Sequence, residues 1–194
     1  LARLGRQDTI YLFLKSDGSM WAMGDNSSGQ LGDGLGQYQT NKPEEIVPSG
    51  VIAIAAGHDH SLFVKSDGSL WGMGGAFINT NQPKAIVASD VAAIAAGGGF
   101  SLFLKTDGSL WAMGGNNYGE LGNGNFNGMN QPEEIVASNV TAIAAGEYHS
   151  LFLKSDGSLW AMGLNNYGQL GDGTFNLTNR PAEIVSSNVT AIAA

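Results

Sequence analysis

The chain has 194 residues, 43% of them hydrophobic and only 13% charged, with a formal net charge of -8. Nine Lys and Arg against 17 Asp and Glu leave no basic footprint for a phosphate backbone, which argues against direct nucleic-acid binding. The lack of cysteine excludes disulfides, thiolate nucleophiles and Cys-ligated zinc, and no apolar run is long enough for a transmembrane helix, so no membrane insertion is expected.

In chain order, residues 1–10 carry no clear pattern. Residues 12–24 read Leu-Phe-Leu-Lys-Ser-Asp-Gly-Ser-Met-Trp-Ala-Met-Gly, two apolar runs around an Asp-Gly pair. A loop at 25–30 follows, then a Pro and a short apolar run at 43–47, then an Ala-rich segment at 51–57. This order recurs. Paired apolar runs return at 62–74, 102–114 and 151–163, loops at 75–80, 115–120 and 164–169, and Pro-led runs at 83–87, 132–136 and 181–185. Ala-rich segments return at 91–97 and 140–146, and 188–194 begins a fifth unit. Trp21, Trp71, Trp111 and Trp160 mark the phase at intervals of 50, 40 and 49 residues.

A period of this length suits either helical arrays or propeller blades, and the local chemistry decides. Asp156-Gly157 between apolar runs predicts a hairpin with a two-residue type I′ turn. That register sets Leu153 opposite Trp160 and Phe152 opposite Ala161. Leu151, Leu153, Trp160 and Met162 then share one face, and Phe152, Leu159 and Ala161 share the other. Both faces are apolar, so the hairpin must be covered on both sides, as a sheet stacked between two others is. The Ala-rich segment reads as a strand where sheets crowd together, its following Gly as a turn or close backbone approach. The Pro-led run reads as an edge strand. The expected class is all-β, a β-propeller of four-stranded blades with about four blades present, a partial or small propeller. The whole of 1–194 is expected to be one domain, with repeats at about 1–50, 51–90, 91–139 and 140–187 and a further one starting at 188–194.

The string Ala-Ala-Gly-x-x-His-Ser-Leu-Phe-Leu-Lys-Ser-Asp-Gly-Ser-Leu-Trp-Ala-Met-Gly-x-Asn-x-x-Gly-Gln-Leu-Gly-Asp-Gly, complete at 144–173, resembles the repeat of the regulator of chromosome condensation family. The resemblance covers nearly the whole chain and implies a β-propeller, commonly of seven blades. The second copy departs from it, reading Gly-Gly-Ala-Phe-Ile-Asn-Thr-Asn at 74–81 in place of the Gly-Gln-Leu-Gly loop, and residues 1–10 match the Ala-rich strand poorly. Three closures compete: a four-blade ring, an arc of a larger ring, and two four-blade arcs joined as eight blades. The start at Leu1 rather than Met and the stop inside a fifth unit favour the arc. In a closed ring the last segment would complete the blade begun at Tyr11.

No phosphate-binding Gly-Lys-Ser/Thr loop, His-Glu-x-x-His or Gly-x-Ser-x-Gly occurs. His58, Asp59 and His60 form the one compact His/Asp cluster, short of the ligands a metal needs. His60 and His149 share a repeat position and read as serving a hydrogen bond inside each blade. Phe100 and Ile10 take that position in the other copies, which argues against a catalytic role. The Asp-Gly pairs read as turns, and the Gly-Asp-Gly segments near Gly32 and Gly171 lack the ligand pattern of a calcium loop. No catalytic residue, metal or cofactor is expected.

Loops on a rigid scaffold are the usual place for recognition. The candidate binding residues are Asn116, Asn117, Tyr118, Asn165, Asn166 and Tyr167, in loops that differ between copies. The alternative is that both tyrosines pack onto their own blade with Asn holding the turn, and Phe126 and Phe175 carry the same ambiguity. The expected function is a non-catalytic protein-interaction module with an unidentified protein partner, and self-association if the ring is incomplete. The family resemblance implies guanine-nucleotide exchange on chromatin for eukaryotic members. It is not carried over, because no exchange-specific loop is identifiable and the charge is acidic. Similarity to repeats of bacterial secreted relatives points to an extracellular or cell-surface setting, and the alternative function is a carbohydrate-binding or enzyme-inhibiting propeller.

Overall fold

The computed structural model describes residues 10–36, 39–75 and 77–194. Among them are 15 strands and no helix, in four antiparallel sheets that each follow chain order. The first sheet holds β1 (Ile10–Leu14), β2 (Met20–Asp25) and β3 (Gln39–Val47). The second holds β4 (Val51–Ala56), β5 (His60–Lys65), β6 (Leu70–Gly74) and β7 (Lys84–Val87). The third holds β8 (Val91–Ala96), β9 (Phe100–Lys105), β10 (Leu110–Gly114) and β11 (Met129–Val136). The fourth holds β12 (Val140–Ala145), β13 (His149–Lys154), β14 (Leu159–Gly163) and β15 (Thr178–Val185). The first nine residues, where an Ala-rich strand of the first repeat was sought, lie outside the described residues.

The Ala-rich strands are where the sheets converge: β4 touches β8, and β8 touches β12. Small side chains permit that approach. The Gly after each strand serves it by space rather than by turn conformation. An added Cβ at Gly57, Gly97 or Gly146 would run into the ring of His60, Phe100 or His149, the first residue of the next strand. The Pro-led strands β3, β11 and β15 take the outer edge, where Pro43, Pro132 and Pro181 need no ladder donor.

The hairpin turns differ from the sequence expectation by one residue. Lys154 N donates to Ser158 O at 3.0 Å and Gly157 N to Lys154 O at 2.9 Å. The loop therefore has three residues, 155–157, with only Gly157 at positive φ (79°). This is a type I turn with a bulged Gly, in which Asp156 keeps an ordinary φ and its carboxylate accepts from Ser158 N at 2.9 Å. The odd loop shifts the register: Phe152 stands opposite Trp160, and Leu151 opposite Ala161. One face then carries Phe152, Trp160, Met162 and Lys154, and the other Leu151, Leu153, Leu159 and Ala161. Both faces are apolar, as expected, and both are covered in the second and third sheets, whereas Leu151 and Leu159 of the fourth are half-buried; Trp160 and Leu153 are on opposite faces, not the same one.

The two faces fit each other from sheet to sheet. Leu102, Leu104, Leu110 and Ala112 of the third sheet pack on Phe152 and Met162 of the fourth. Leu62, Val64 and Leu70 of the second pack on Phe103 and Met113 of the third, and Met20 of the first packs with Phe63 and Met73 of the second. These side chains are almost wholly buried. Each large apolar side chain buried at a junction contributes roughly 1.5–3 kcal/mol. Within each sheet a Phe stacks on the facing Trp at 6.0–6.2 Å, with a Lys ammonium 3.6–4.0 Å from the Trp ring centre. The tryptophans are thus half-buried packing elements, with Nε1 donating to a turn serine.

Candidate functional site

The meander gives the stack two unlike ends. At one end lie the Asp-Gly turns and the links between sheets, all nearly alike. There Gly50, Asp90, Asn139 and Asn188 take positive φ, which these residue types tolerate. At the other end lie the short turns after the inner strands and the long loops after β2, β6, β10 and β14. The copies differ at this loop end.

Three of the long loops are built around one buried asparagine. Asn165 Oδ1 accepts from Leu170 N at 3.0 Å, while Nδ2 donates to Asp172 Oδ1 at 2.9 Å and to Thr174 O at 3.1 Å. Asn116 does the same with Leu121 N, Asn123 Oδ1 and Asn125 O, and Asn26 with Leu31 N and Asp33. Leu31, Leu121 and Leu170, thereby fixed, are buried beneath the loops. So Asn116 and Asn165 have their amides committed inside the loop and expose nothing, while Asn117 and Asn166 face solvent. Tyr118 is half-buried with its ring 5.0 Å from that of Tyr148, on the neighbouring sheet's inner turn. Tyr167 stands out with 88% of its surface exposed.

The structure adds residues that the sequence did not single out. Leu35, Tyr148 and Leu177 are exposed at the same end, beside Phe126 and Phe175. Most of the exposed large apolar side chains among the described residues therefore gather here. Asp25, Asp59, Glu147 and Asp172 supply acidic character. The amide and then the hydroxyl of Thr174 hold the Asp172 carboxyl below the usual carboxylate range. Burial lowers the His149 imidazole and so favours its neutral form. Lys15, Lys65, Lys105 and Lys154, by contrast, sit over tryptophans by the opposite end.

A polar cavity of about 480 Å³ opens between the loops of the first and second sheets, lined by Asn26, Ser27, Ser28, Asn79, Thr80 and Asn81. Another of about 340 Å³ lies where the inner strands end at Gly57, Gly97, Gly146 and Ala194.

Asp59, His60 and Ser101 have the residue types of a nucleophilic triad. His60 Nδ1 is 3.3 Å from Asp59 Oδ1, and Nε2 is 3.0 Å from Ser101 Oγ. Both His60 and Ser101 are buried, and the adjoining space of about 10 Å³ has room for about one water. The two buried side chains pack in the junction, and their bond runs between sheets, where the sequence reading expected one inside each blade. Among the described residues, no three His, Cys, Asp or Glu side chains are placed to hold a metal ion.

Two family models match, both described as the regulator of chromosome condensation (RCC1) repeat: one at 51–80, 91–120 and 140–169, the other at 17–64, 107–153 and 156–194. No curated protein sequence matches significantly. Among solved structures, yeast RCC1 (Prp20) bound to Kap60 superposes with a TM-score of 0.80 at 23% identity, covering 90% of this chain and 46% of that one. Prp20p of Saccharomyces cerevisiae, which binds Gsp1p and histones, gives 0.80 at 23%, covering 90% and 48%. Human WBSCR16 gives 0.77 at 23%, covering 90% and 49%. The chain thus spans about half the length of these structures. At this identity the likeness establishes a fold, the β-propeller, and the stacked sheets are its blades.

Proposed function

This chain belongs to the regulator of chromosome condensation repeat family, and we propose that it serves as a non-catalytic protein-interaction module that binds through its loop end. One observation carries the reading. Tyr167, Phe175, Phe126, Leu35 and Leu177, on loops pinned by buried asparagines, and Tyr148, on an inner turn, expose large apolar surfaces at the one end where the copies differ. Aromatic anchors on a rigid base bind at low entropic cost, because little is left to order on association. Yeast Prp20 has protein partners, Kap60, Gsp1p and histones, which supports a protein partner here without naming it. The acidic side chains at this end favour a partner that is neutral or basic on its contacting face and weigh against a nucleic acid.

The test is capture of partners from extracts with the 194-residue chain, beside a Tyr167→Ala, Phe175→Ala variant. A partner held by the first and lost by the second, with folding unchanged, supports the reading. A partner held equally by both would move the site elsewhere. A second reading, carbohydrate binding, rests on the polar cavity between the first two blades. Glycan-array signal abolished by Asn81→Ala, with no effect of Tyr167→Ala, would favour it.

A further inference from the structure

The long loop of the third blade holds both Asn-Gly pairs of the chain, at 123–124 and 127–128. An Asn before Gly is open to one spontaneous reaction. The Gly nitrogen, with no Cβ beside it, can reach the Asn Cγ and displace the side-chain amide as ammonia.

The two pairs are held differently. Gly124 N donates to Asn179 O of the fourth blade at 2.8 Å, so that nitrogen is tied to another sheet. Asn123 is tied at both ends of its amide. Its Oδ1 accepts from Asn116 Nδ2 at 3.0 Å, and its Nδ2 donates to Glu133 Oε2 at 2.8 Å. Asn127 and Gly128, by contrast, are exposed. Neither the Asn127 side chain nor Gly128 N has a hydrogen-bond partner among the described residues. Only the backbone of Asn127 is anchored: its N donates to Asn125 Oδ1 at 2.7 Å, and its O accepts from Asn116 Nδ2 at 3.2 Å.

The fold itself calls for the glycine at 128. Phe77 crosses from the shortened loop of the second blade, and a Cβ added at Gly128 would lie 2.7 Å from its ring. In the fourth blade the aligned pair is Asn176-Leu177. Asn176 is exposed and its N donates to Thr174 Oγ1 at 3.1 Å, so it matches Asn127 in all but the residue that follows. The six Asp-Gly pairs are weaker electrophiles, because a carboxylate must gain a proton before water can leave it. In the hairpins the Gly18, Gly68, Gly108 and Gly157 amides are also engaged, donating to lysine carbonyls at 2.9–3.0 Å.

We propose that Asn127 is a site of spontaneous modification in the folded protein, converted through a succinimide to an aspartyl or isoaspartyl residue, while Asn123 and Asn176 stay intact. Gly128 N gives its proton to hydroxide and forms a bond to Asn127 Cγ. The Cγ–Nδ2 bond breaks, and the nitrogen takes a proton from water and leaves as ammonia. Water then opens the ring. Attack at Cγ leaves an ordinary main chain and a side-chain carboxylate. Attack at the Asn127 carbonyl carbon turns that carbon into the carboxylate and routes the main chain through Cβ and Cγ. Nothing is oxidised or reduced, and water and hydroxide are the only co-reactants. The product adds a negative charge beside exposed Phe126. The isoaspartyl form also lengthens the main chain by one carbon next to the seat of Phe77 and removes the carbonyl that Asn116 holds.

The experiment follows the 194-residue chain in mildly alkaline buffer, folded and in urea, with peptides sequenced by mass spectrometry over time. In the folded chain, Asn127 should show the mass gain of an amide hydrolysed to an acid at least about tenfold faster than Asn123, where several hydrogen bonds must open first. In urea the two Asn-Gly pairs should convert at similar rates, and Asn176 should lag in both conditions. The rate at Asn127 should rise with pH, because the deprotonated nitrogen is the nucleophile. Leu177→Gly should make Asn176 convert in the folded chain, and Asn127→Gln should abolish the fast site. Equal rates at Asn123 and Asn127 in the folded chain would overturn the proposal. So would an Asn127 that converts only in urea, or an Asn176 left intact in folded Leu177→Gly. If that variant fails to fold, the two Asn-Gly rates in the unaltered chain decide.

Discussion

Ser101 Oγ lies 3.0 Å from His60 Nε2 across the junction between the second and third blades. The equivalent serines do something else: Ser61 donates to the carbonyl of Gln30 and Ser150 to that of Glu120, both in the preceding blade's long loop. The second blade lacks that loop, and His60 fills the partner's place. Phe77, from the shortened loop, reaches across to the backbone at Gly128.

His60→Phe should therefore be costly, although Phe100 occupies the same repeat position next door. The ring would still cover Gly57, but buried Ser101 would lose its partner, at about 1–3 kcal/mol. Adding Ser101→Ala should recover part of the loss. Urea unfolding of the single and double variants measures both.

Glu120 sits where the other loops have Gln30 and Gln169. Its Oε2 accepts from Tyr118 N at 2.7 Å, and burial pushes its carboxyl above the usual range. A folded-state value above the unfolded one means that folding takes up a proton, so the penalty is full above the folded value and vanishes below the unfolded one. Glu120→Gln should raise the melting temperature at pH 7, and the gain should fade as pH drops through the carboxylate range. A gain that is unchanged at pH 3 would contradict this account.

The turn aspartates run the other way. Hydroxyls of Ser19, Ser69, Ser109 and Ser158, then their amides, hold Asp17, Asp67, Asp107 and Asp156 below 3.8. Each contributes stability that is present above the unfolded value and lost as pH falls through the folded one. Thermal stability should decline below about pH 4, and Asp67→Asn should lower it at pH 7 while flattening that decline. All four carboxylates are in water, so each effect is small.

Asn165 and Tyr167 are neighbours in one loop with opposite roles. Asn165→Ala strands the buried Leu170 amide and should cost about 1–3 kcal/mol. Tyr167→Ala should change stability by less than about 0.5 kcal/mol, while weakening partner binding by on the order of tenfold or more. Calorimetry and a binding titration on the two variants separate scaffold from contact.

Much of this was legible in the chain itself. The repeat of Trp21, Trp71, Trp111 and Trp160, the alternation around each Asp-Gly pair and the Ala-rich segments identify stacked four-stranded sheets with two dry faces. Those signals are local, and period-two alternation needs no knowledge of neighbours. The loop asparagines carried a signal too. Asn26, Asn116 and Asn165 recur only where the Gly-Gln-Leu-Gly or Gly-Glu-Leu-Gly loop does, as a loop keystone would.

What only tertiary structure decided turns on single-residue shifts and on distant partners. Asp-Gly permits either a two-residue or a three-residue turn, and the difference of one residue moves Phe152 and Trp160 onto one face. Which face meets which blade follows from that register, not from composition. The pairing of His60 with Ser101 joins residues 41 apart in different repeats, and it arises because a loop missing from one blade leaves a buried hydroxyl in the next without its usual carbonyl.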